Sequence, residues 1–262
     1  MPRELDRTGY RAANRPVPAA DFLLIDNSNS FTKFALASLT ALGPVRRAAT
    51  RTLDEAALRR ILRGWRYETA VLSSVVPEKG KLIARAVAPA HVLRVTHKLN
   101  LGVGIDYPQP GRIGADRLAN AASAVHFHGA PVVVVDFGTA VTFDIISRAR
   151  KYIGGVIAPG LEAMTDYLHQ RTALLPKLTL REPPGPVGKS TKHAMLAGAI
   201  YGYRGLVRQI LTEIRAEIGP AKVVATGGYA ELIAAGVPEI REVHPHLTLE
   251  GLRIIGTLNT RL

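Results

Sequence analysis

The chain has 262 residues, no cysteine, and 34 Lys and Arg against 21 Asp and Glu, a formal net charge of +13. That length suits one large domain or two lobes, and an apolar fraction of 47% with a mean hydropathy of +0.10 supplies a core and argues against disorder over most of the chain. Without cysteine there are no disulfides, thiolate zinc sites, iron–sulfur clusters or cysteine nucleophiles; with no apolar run near the ~20 residues that cross a bilayer, and no apolar block after Arg3, Arg7, Arg11 and Arg15, a cytoplasmic protein with no membrane partner is expected.

Residues 1–20 lack periodicity and read as a basic, flexible tail. Phe22 to Ile25 is a short apolar run ending at Asp26, the pattern of a buried strand with a polar carboxyl end. Phe34 to Leu42 reads as a helix, and Leu53 to Leu62 as an amphipathic one, with Leu53, Leu58, Ile61 and Leu62 on one face. Thr69 to Val76 is a strand stopped by Pro77, and Leu118 to Phe127 a helix opened by Asp116. From Pro131, Val132 to Val135 runs into Asp136-Phe137-Gly138-Thr139, and Val141 to Ile146 alternates as its hairpin partner, continued by Tyr152 to Ile157. Glu182 to Pro186 is a loop before a long helix, Lys192 to Ile218, whose apolar residues follow a 3.6-residue rhythm. Val223 to Ala225 into Thr226-Gly227-Gly228 is a last strand, polar turn and helix. A strand ending in Asp followed by a turn of small and hydroxylic residues thus occurs at Asp26 and again 110 residues later at Asp136, which suggests an internal duplication.

The basic excess includes 25 Arg, several of them between Arg46 and Arg66. Asp54 and Glu55 lie among them and no aromatic residues interleave them for base stacking, so solvated helix faces explain them and nucleic acid is not expected as a partner. Phosphate chemistry has better support elsewhere. After Asp26 the segment Asn27-Ser28-Asn29-Ser30-Phe31-Thr32-Lys33 offers backbone N–H groups, three hydroxyls, side-chain amides and an ammonium, with a carboxylate at hand for Mg²⁺, although such residues also fill ordinary turns. At the second strand end Gly138 permits close backbone approach, Thr139 adds a hydroxyl and Asp136 suits a cation. Thr226-Gly227-Gly228 adds a third surface, suited to a nucleotide's sugar and base. Gly188-Lys189-Ser190-Thr191 only imitates a P-loop, because Pro183 stands where that motif needs glycine. In Gly114-Ala115-Asp116-Arg117, Asp116 is either a helix N-cap or a carboxylate base beside a guanidinium at a helix N-terminus. His126 with His128 and His244 with His246 lack metal-ligand spacing with a third partner.

Taken in order, Asp26 to Lys33, Ser73 to Pro77, Tyr107 to Pro110, Gly114 to Arg117, Asp136 to Asp144, Gly154 to Gly160, Thr191 and Thr226 to Gly228 resemble type III pantothenate kinase, of the actin/hexokinase/Hsp70-like ATPase superfamily. The resemblance implies an α/β fold of two ribonuclease-H-like lobes with a central cleft, residues 21–130 and 131–262, the second carrying a long dimerisation helix. It implies a homodimeric enzyme that uses ATP, Mg²⁺ and a monovalent cation (K⁺ or NH₄⁺) to phosphorylate pantothenate in the first step of coenzyme A biosynthesis. Asp116 matches the proton acceptor; Tyr107, Gly114, Ala115, Asp116, Arg117 and Thr191 match the substrate pocket; Asp136 matches the monovalent-cation ligand. Asp26, Asn27, Ser28, Asn29, Ser30, Phe31, Thr32, Lys33 and Thr139 match ATP-binding positions. Ser28 departs from the family's usual glycine, which sets two alternatives beside the kinase: a catalytically weak relative with a regulatory role, or, from the charge alone, a nucleic-acid-binding protein.

Overall fold

The computed structural model describes residues 20–88 and 90–260. The expected basic tail, residues 1–20, lies outside the described residues except for Ala20. In chain order the elements are β1 (Phe22–Asn27), β2 (Phe31–Ala37), β3 (Leu42–Ala49), α1 (Glu55–Leu62), β4 (Thr69–Ser74), α2 (Pro77–Ala86), β5 (His91–Arg94), β6 (Gly104–Ile105) and α3 (Ala115–His128). There follow β7 (Val132–Phe137), β8 (Ala140–Ile146), β9 (Lys151–Pro159), α4 (Leu161–Arg171), α5 (Thr191–Ile218), β10 (Lys222–Gly227), α6 (Ala230–Ala234), β11 (Glu242–Val243) and α7 (Leu247–Asn259). Among the described residues no helix is long and apolar enough to cross a membrane.

Two compact units divide the chain: residues 1–129 with 150–153 and 246–262, and residues 130–149 with 154–245. In the first unit the sheet order is β3-β2-β1-β4-β5, with β2 antiparallel to β1 and β3, and β4 parallel to β1 and β5. The strands of the second unit repeat this arrangement as β9-β8-β7-β10-β11, with β7 antiparallel to β8 and parallel to β10. Asp26 and Asp136 are each the fifth residue of the central strand, so the duplication suggested by the sequence is present in the topology. β6 pairs with the first residues of β9, Gly104 opposite Lys151 and Ile105 opposite Tyr152, within the first unit.

Each sheet's core follows from strand alternation. In β1, Phe22 and Leu24 join Leu118, Leu249 and Leu252 beneath α3 and α7, while Leu23 and Ile25 join Leu58 and Ile83 beneath α1 and α2. In the second unit Val133, Val135 and Phe143 meet Ile200, Tyr203 and Val207 of α5.

The structure corrects one element. Residues 34–42 are not a helix: Phe34 to Ala37 belong to β2, and Leu42 opens β3. A short apolar run does not distinguish strand from helix by periodicity, and pairing on both sides, to β1 and to β3, decides it here. Arg46 and Arg47 accordingly sit on a strand, where their guanidinium groups stack over Trp65 and Phe31.

Among the described residues Arg150 is the sole non-glycine in the left-handed region, at φ 57°. A Cβ there crowds the following carbonyl at a cost of about 1–2 kcal/mol, while glycine loses somewhat more unfolded-chain entropy. Arg150→Gly is therefore expected to raise stability by roughly 0.5 kcal/mol, read as a higher thermal midpoint; a lower midpoint would show that the arginine side chain outweighs the strain.

Candidate active site

The first phosphate-loop candidate is a hairpin turn. β1 carries Asp26 and Asn27 to its end, Ser28, Asn29 and Ser30 turn the chain, and β2 returns with Phe31, Thr32 and Lys33, closed by the Ser28 N–H donating to the Phe31 carbonyl at 3.2 Å. Asp26 is only 3% exposed; Ser28 Oγ donates to its Oδ1 at 3.0 Å, and Lys33 Nζ lies 3.7 Å from its Oδ2. Asn29, Ser30 and Phe31 are exposed at the tip, with the Arg47 guanidinium 3.3 Å from the Phe31 ring centroid. Ser28 does not adopt positive φ, so its Cβ carries no backbone strain, and its hydroxyl is used on Asp26. Asn27 and Thr32 are fully buried, and their side chains bond each other beneath the turn at 2.8 Å. His246, which precedes α7, has its pKa lowered by burial and then by the nearby Lys33 charge.

The second group, also in the first unit, surrounds the N-terminus of α3. Gly114 is the cap residue, with no side-chain cap, and Asp116 lies in the first turn rather than at the cap. Asp116 Oδ1 accepts the Arg117 backbone N–H at 2.8 Å. A Cβ on Gly114 would stand 2.5 Å from that oxygen, so glycine leaves the carboxylate its place. The Arg117 guanidinium lies 5.8 Å from the ring centroid of Tyr152, and Tyr107, 39% exposed, meets the buried Tyr152 edge-on at 6.1 Å. A carboxylate, a guanidinium and an exposed phenol are thereby gathered at one helix N-terminus, an arrangement able to take a proton from a hydroxyl and to hold an anion.

The third group lies in the second unit. The Gly138 N–H donates to the Ala140 carbonyl and the Gly160 N–H to the Thr139 carbonyl, both at 3.1 Å, so the turn after Asp136 is held on the backbone. Gly227, at φ 96°, brings its backbone so close that a Cβ would stand 2.7 Å from Asp136 Oδ1 and 2.6 Å from the Phe137 N and O. Gly228 has open space around it. Beside it the Tyr229 hydroxyl donates to Glu162 Oε1 at 2.6 Å; burial, then that carboxylate, raises its pKa to about 12. Asp136 is a half-buried carboxylate at the strand end, a group of the kind that could hold a monovalent cation. Among the described residues no three His, Cys, Asp or Glu gather into a metal cluster.

Thr191 is the exposed first residue of α5. Ser190 caps that helix by accepting the His193 N–H at 3.2 Å, so the segment that imitates a P-loop is a helix cap. The preceding loop is fastened to α5 by Arg204, whose Nη1 and Nη2 bond Glu182 at 2.8 and 2.7 Å, and by His193 against the Gly185 carbonyl at 2.9 Å. The Arg204 hydrogen bonds hold the Glu182 carboxyl below its usual range.

Sequence reasoning missed Tyr152, and it missed Thr50, which lies against the first turn with its hydroxyl donating to the Ser28 carbonyl at 2.7 Å. Tyr152 was legible only as a strand residue. Thr50 follows β3, and reading residues 34–49 as a hairpin would have set it beside the turn.

A family profile described as type III pantothenate kinase matches residues 22–213. A type III pantothenate kinase of Akkermansia muciniphila is 54% identical over 242 residues, covering 91% of this chain and 99% of the relative; one of Methylacidiphilum infernorum is 38% identical over 239 residues, covering 90% and 88%. Among solved structures, a Baf family transcriptional activator from Campylobacter jejuni superposes with a TM-score of 0.59 at 19% identity, covering 89% of this chain and 96% of the other. Component A of (R)-2-hydroxyglutaryl-CoA dehydratase from Acidaminococcus fermentans superposes with a TM-score of 0.52 at 12% identity, covering 92% and 96%. These two likenesses establish the actin-like ATPase fold alone.

Proposed function

The chain belongs to the type III pantothenate kinase family, and from that premise we infer how its own residues carry out the reaction. It is an ATP-dependent kinase that phosphorylates pantothenate, in coenzyme A biosynthesis. In the proposed mechanism Asp116 accepts the proton of the pantothenate primary hydroxyl as that oxygen attacks the γ-phosphorus; the bond to the β-bridging oxygen breaks, leaving ADP and 4'-phosphopantothenate. The observation that carries this assignment is the Asp116 carboxylate, held by the Arg117 amide at 2.8 Å beside Tyr107 and Arg117. Arg117 supplies the cation for the pantothenate carboxylate, and Tyr107, Gly114, Ala115 and Thr191 complete the substrate contacts.

Asp26, Ser28, Asn29, Ser30, Phe31, Lys33 and Thr139 are assigned to ATP, with Asn27 and Thr32 supporting the turn from below, since both are fully buried. Mg²⁺ and K⁺ or NH₄⁺, when bound, would supply positive charge to offset that of the phosphates, which matters because phosphoryl transfer depends mainly on positioning and electrostatics. Asp26 and Asp136 are the residues that fit them. A homodimer is part of the same reading, supported by the exposed Ile157, Tyr167 and Leu174 of the second unit.

The test is ADP release with and without pantothenate, in K⁺ and in Na⁺ buffer. Release is expected to require pantothenate and to be faster in K⁺, with the K⁺ dependence lost in Asp136→Ala. Release indifferent to pantothenate would defeat the assignment of substrate, and unchanged salt activation in the variant would defeat that of Asp136.

A further inference from the structure

Beneath the turn of residues 28–30 runs a chain of hydrogen bonds, buried in its middle and half-buried at its ends, whose direction follows from counting protons. Thr50 Oγ1 donates its only proton to the Ser28 carbonyl at 2.7 Å. The contact between Thr32 Oγ1 and Thr50 Oγ1, at 2.9 Å, therefore has Thr32 as donor. Thr32 Oγ1, its proton so committed, accepts from Asn27 Nδ2 at 2.8 Å. Asn27 Oδ1 in turn accepts the Ser74 hydroxyl at 2.7 Å. From Asn27 through Thr32 and Thr50 the donors run one way to one backbone carbonyl, with Ser74 Oγ, which also lies 3.1 Å from the Val76 carbonyl, at the head of the chain, and bonds aligned in sequence strengthen one another where water is excluded. Asn27 and Thr32 are 0% exposed and Thr50 is 2% exposed. Thr50 holds the turn a second time through its backbone, its N–H donating to the Ser30 carbonyl at 3.0 Å.

The peptide plane converts this into a statement about the turn's outer side. In a trans peptide the C=O of one residue and the N–H of the next point in opposite directions. With the Ser28 carbonyl drawn toward Thr50, the Asn29 N–H is turned to the other side of that plane, at an exposed residue.

We propose that Thr50 is a positioning residue of the kinase reaction, which fixes the Ser28–Asn29 peptide so that the Asn29 N–H is presented to a phosphate oxygen of ATP. This rests on the assignment of the turn to ATP. It gives Asn27, Thr32 and Ser74 a role as the upstream donors that keep the Thr50 proton aimed at Ser28. Without the hydroxyl, the Ser28 carbonyl loses its donor and the Thr32 proton its acceptor, and the Ser28–Asn29 peptide loses the bond that fixes its orientation.

The experiment compares Thr50→Val, which keeps the shape and removes the hydroxyl, with Thr50→Ser, which keeps the hydroxyl. Losing one such bond and leaving buried partners unpaired corresponds to roughly tenfold or more, so Thr50→Val is expected to raise KM for ATP and the calorimetric Kd for ATP about tenfold, with KM for pantothenate unchanged. Thr50→Ser should restore both ATP constants to within about threefold of the parent chain. Thr50→Ala replaces the valine variant if that variant does not fold. An unaltered ATP Kd in the hydroxyl-free variant overturns the proposal, as does a uniform loss of active protein with both KM values intact. Because Kd is measured without pantothenate, a chain that binds ATP through Thr50 yet shows no pantothenate-dependent ADP release would uphold this role and overturn the substrate assignment instead.

Discussion

Asp116→Asn is expected to lower kcat by about 10²–10⁴-fold, the usual contribution of a positioned general base, with a small change in KM for pantothenate. The asparagine is nearly isosteric and its side-chain oxygen can still accept the Arg117 amide, which now reaches Asp116 Oδ1 at 2.8 Å. What the variant lacks is a group able to take the proton of the attacking hydroxyl. Initial rates of ADP release at saturating ATP and pantothenate measure the effect. Turnover near that of the parent chain would remove Asp116 from the chemistry and leave it a helix-terminus residue. A parallel rise in KM without a fall in kcat would make it a binding group only.

The largest effect on stability is expected from Gly251→Ala. Gly251 lies on α7 where that helix crosses α3, and a Cβ on it would stand 2.5 Å from the carbonyl carbon of Ala119 and closer still to its oxygen. No rotamer relieves a clash between a Cβ and a backbone carbonyl, so the two helices must separate. Overpacking of this kind costs about 3 kcal/mol at the upper end of its usual range, which lowers the thermal midpoint by roughly 6–12 °C. α3 carries Asp116 and Arg117 on its first turn, so activity below the new midpoint should fall as well. A midpoint within a degree or two of the parent would mean that α3 and α7 have room to give. Thermal unfolding followed by circular dichroism distinguishes the two.

Much of this architecture can be read from residue order, and the failures are instructive. Val132 to Val135 and Phe22 to Ile25 are continuous apolar runs because their strands are covered on both faces, and they read correctly as buried strands. α5 reads correctly because its period persists over 28 residues. Phe34 to Ala37 misleads because the strand is covered on both faces, Phe34 in one core and Ala35 and Ala37 in the other, leaving an apolar stretch without polar alternation that suits a helix equally. That error also hid Thr50, since its contact with Ser28 is made across a hairpin that residue order alone does not display. The serine at position 28 is a similar case. As a departure from glycine it suggests a weakened loop, yet its φ is not positive and its hydroxyl serves Asp26.

The placement of α7 has a consequence for synthesis on the ribosome. Residues 246–262 belong to the unit that begins with β1, while residues 154–245 lie in the other. Leu249, Leu252 and Ile255 of α7 cover the same side of the β1 sheet as Phe22 and Leu24. The half translated first therefore keeps the part of that side that α3 does not cover uncovered until α7 has been made. An apolar patch left uncovered in that interval is the kind of surface through which a nascent chain aggregates.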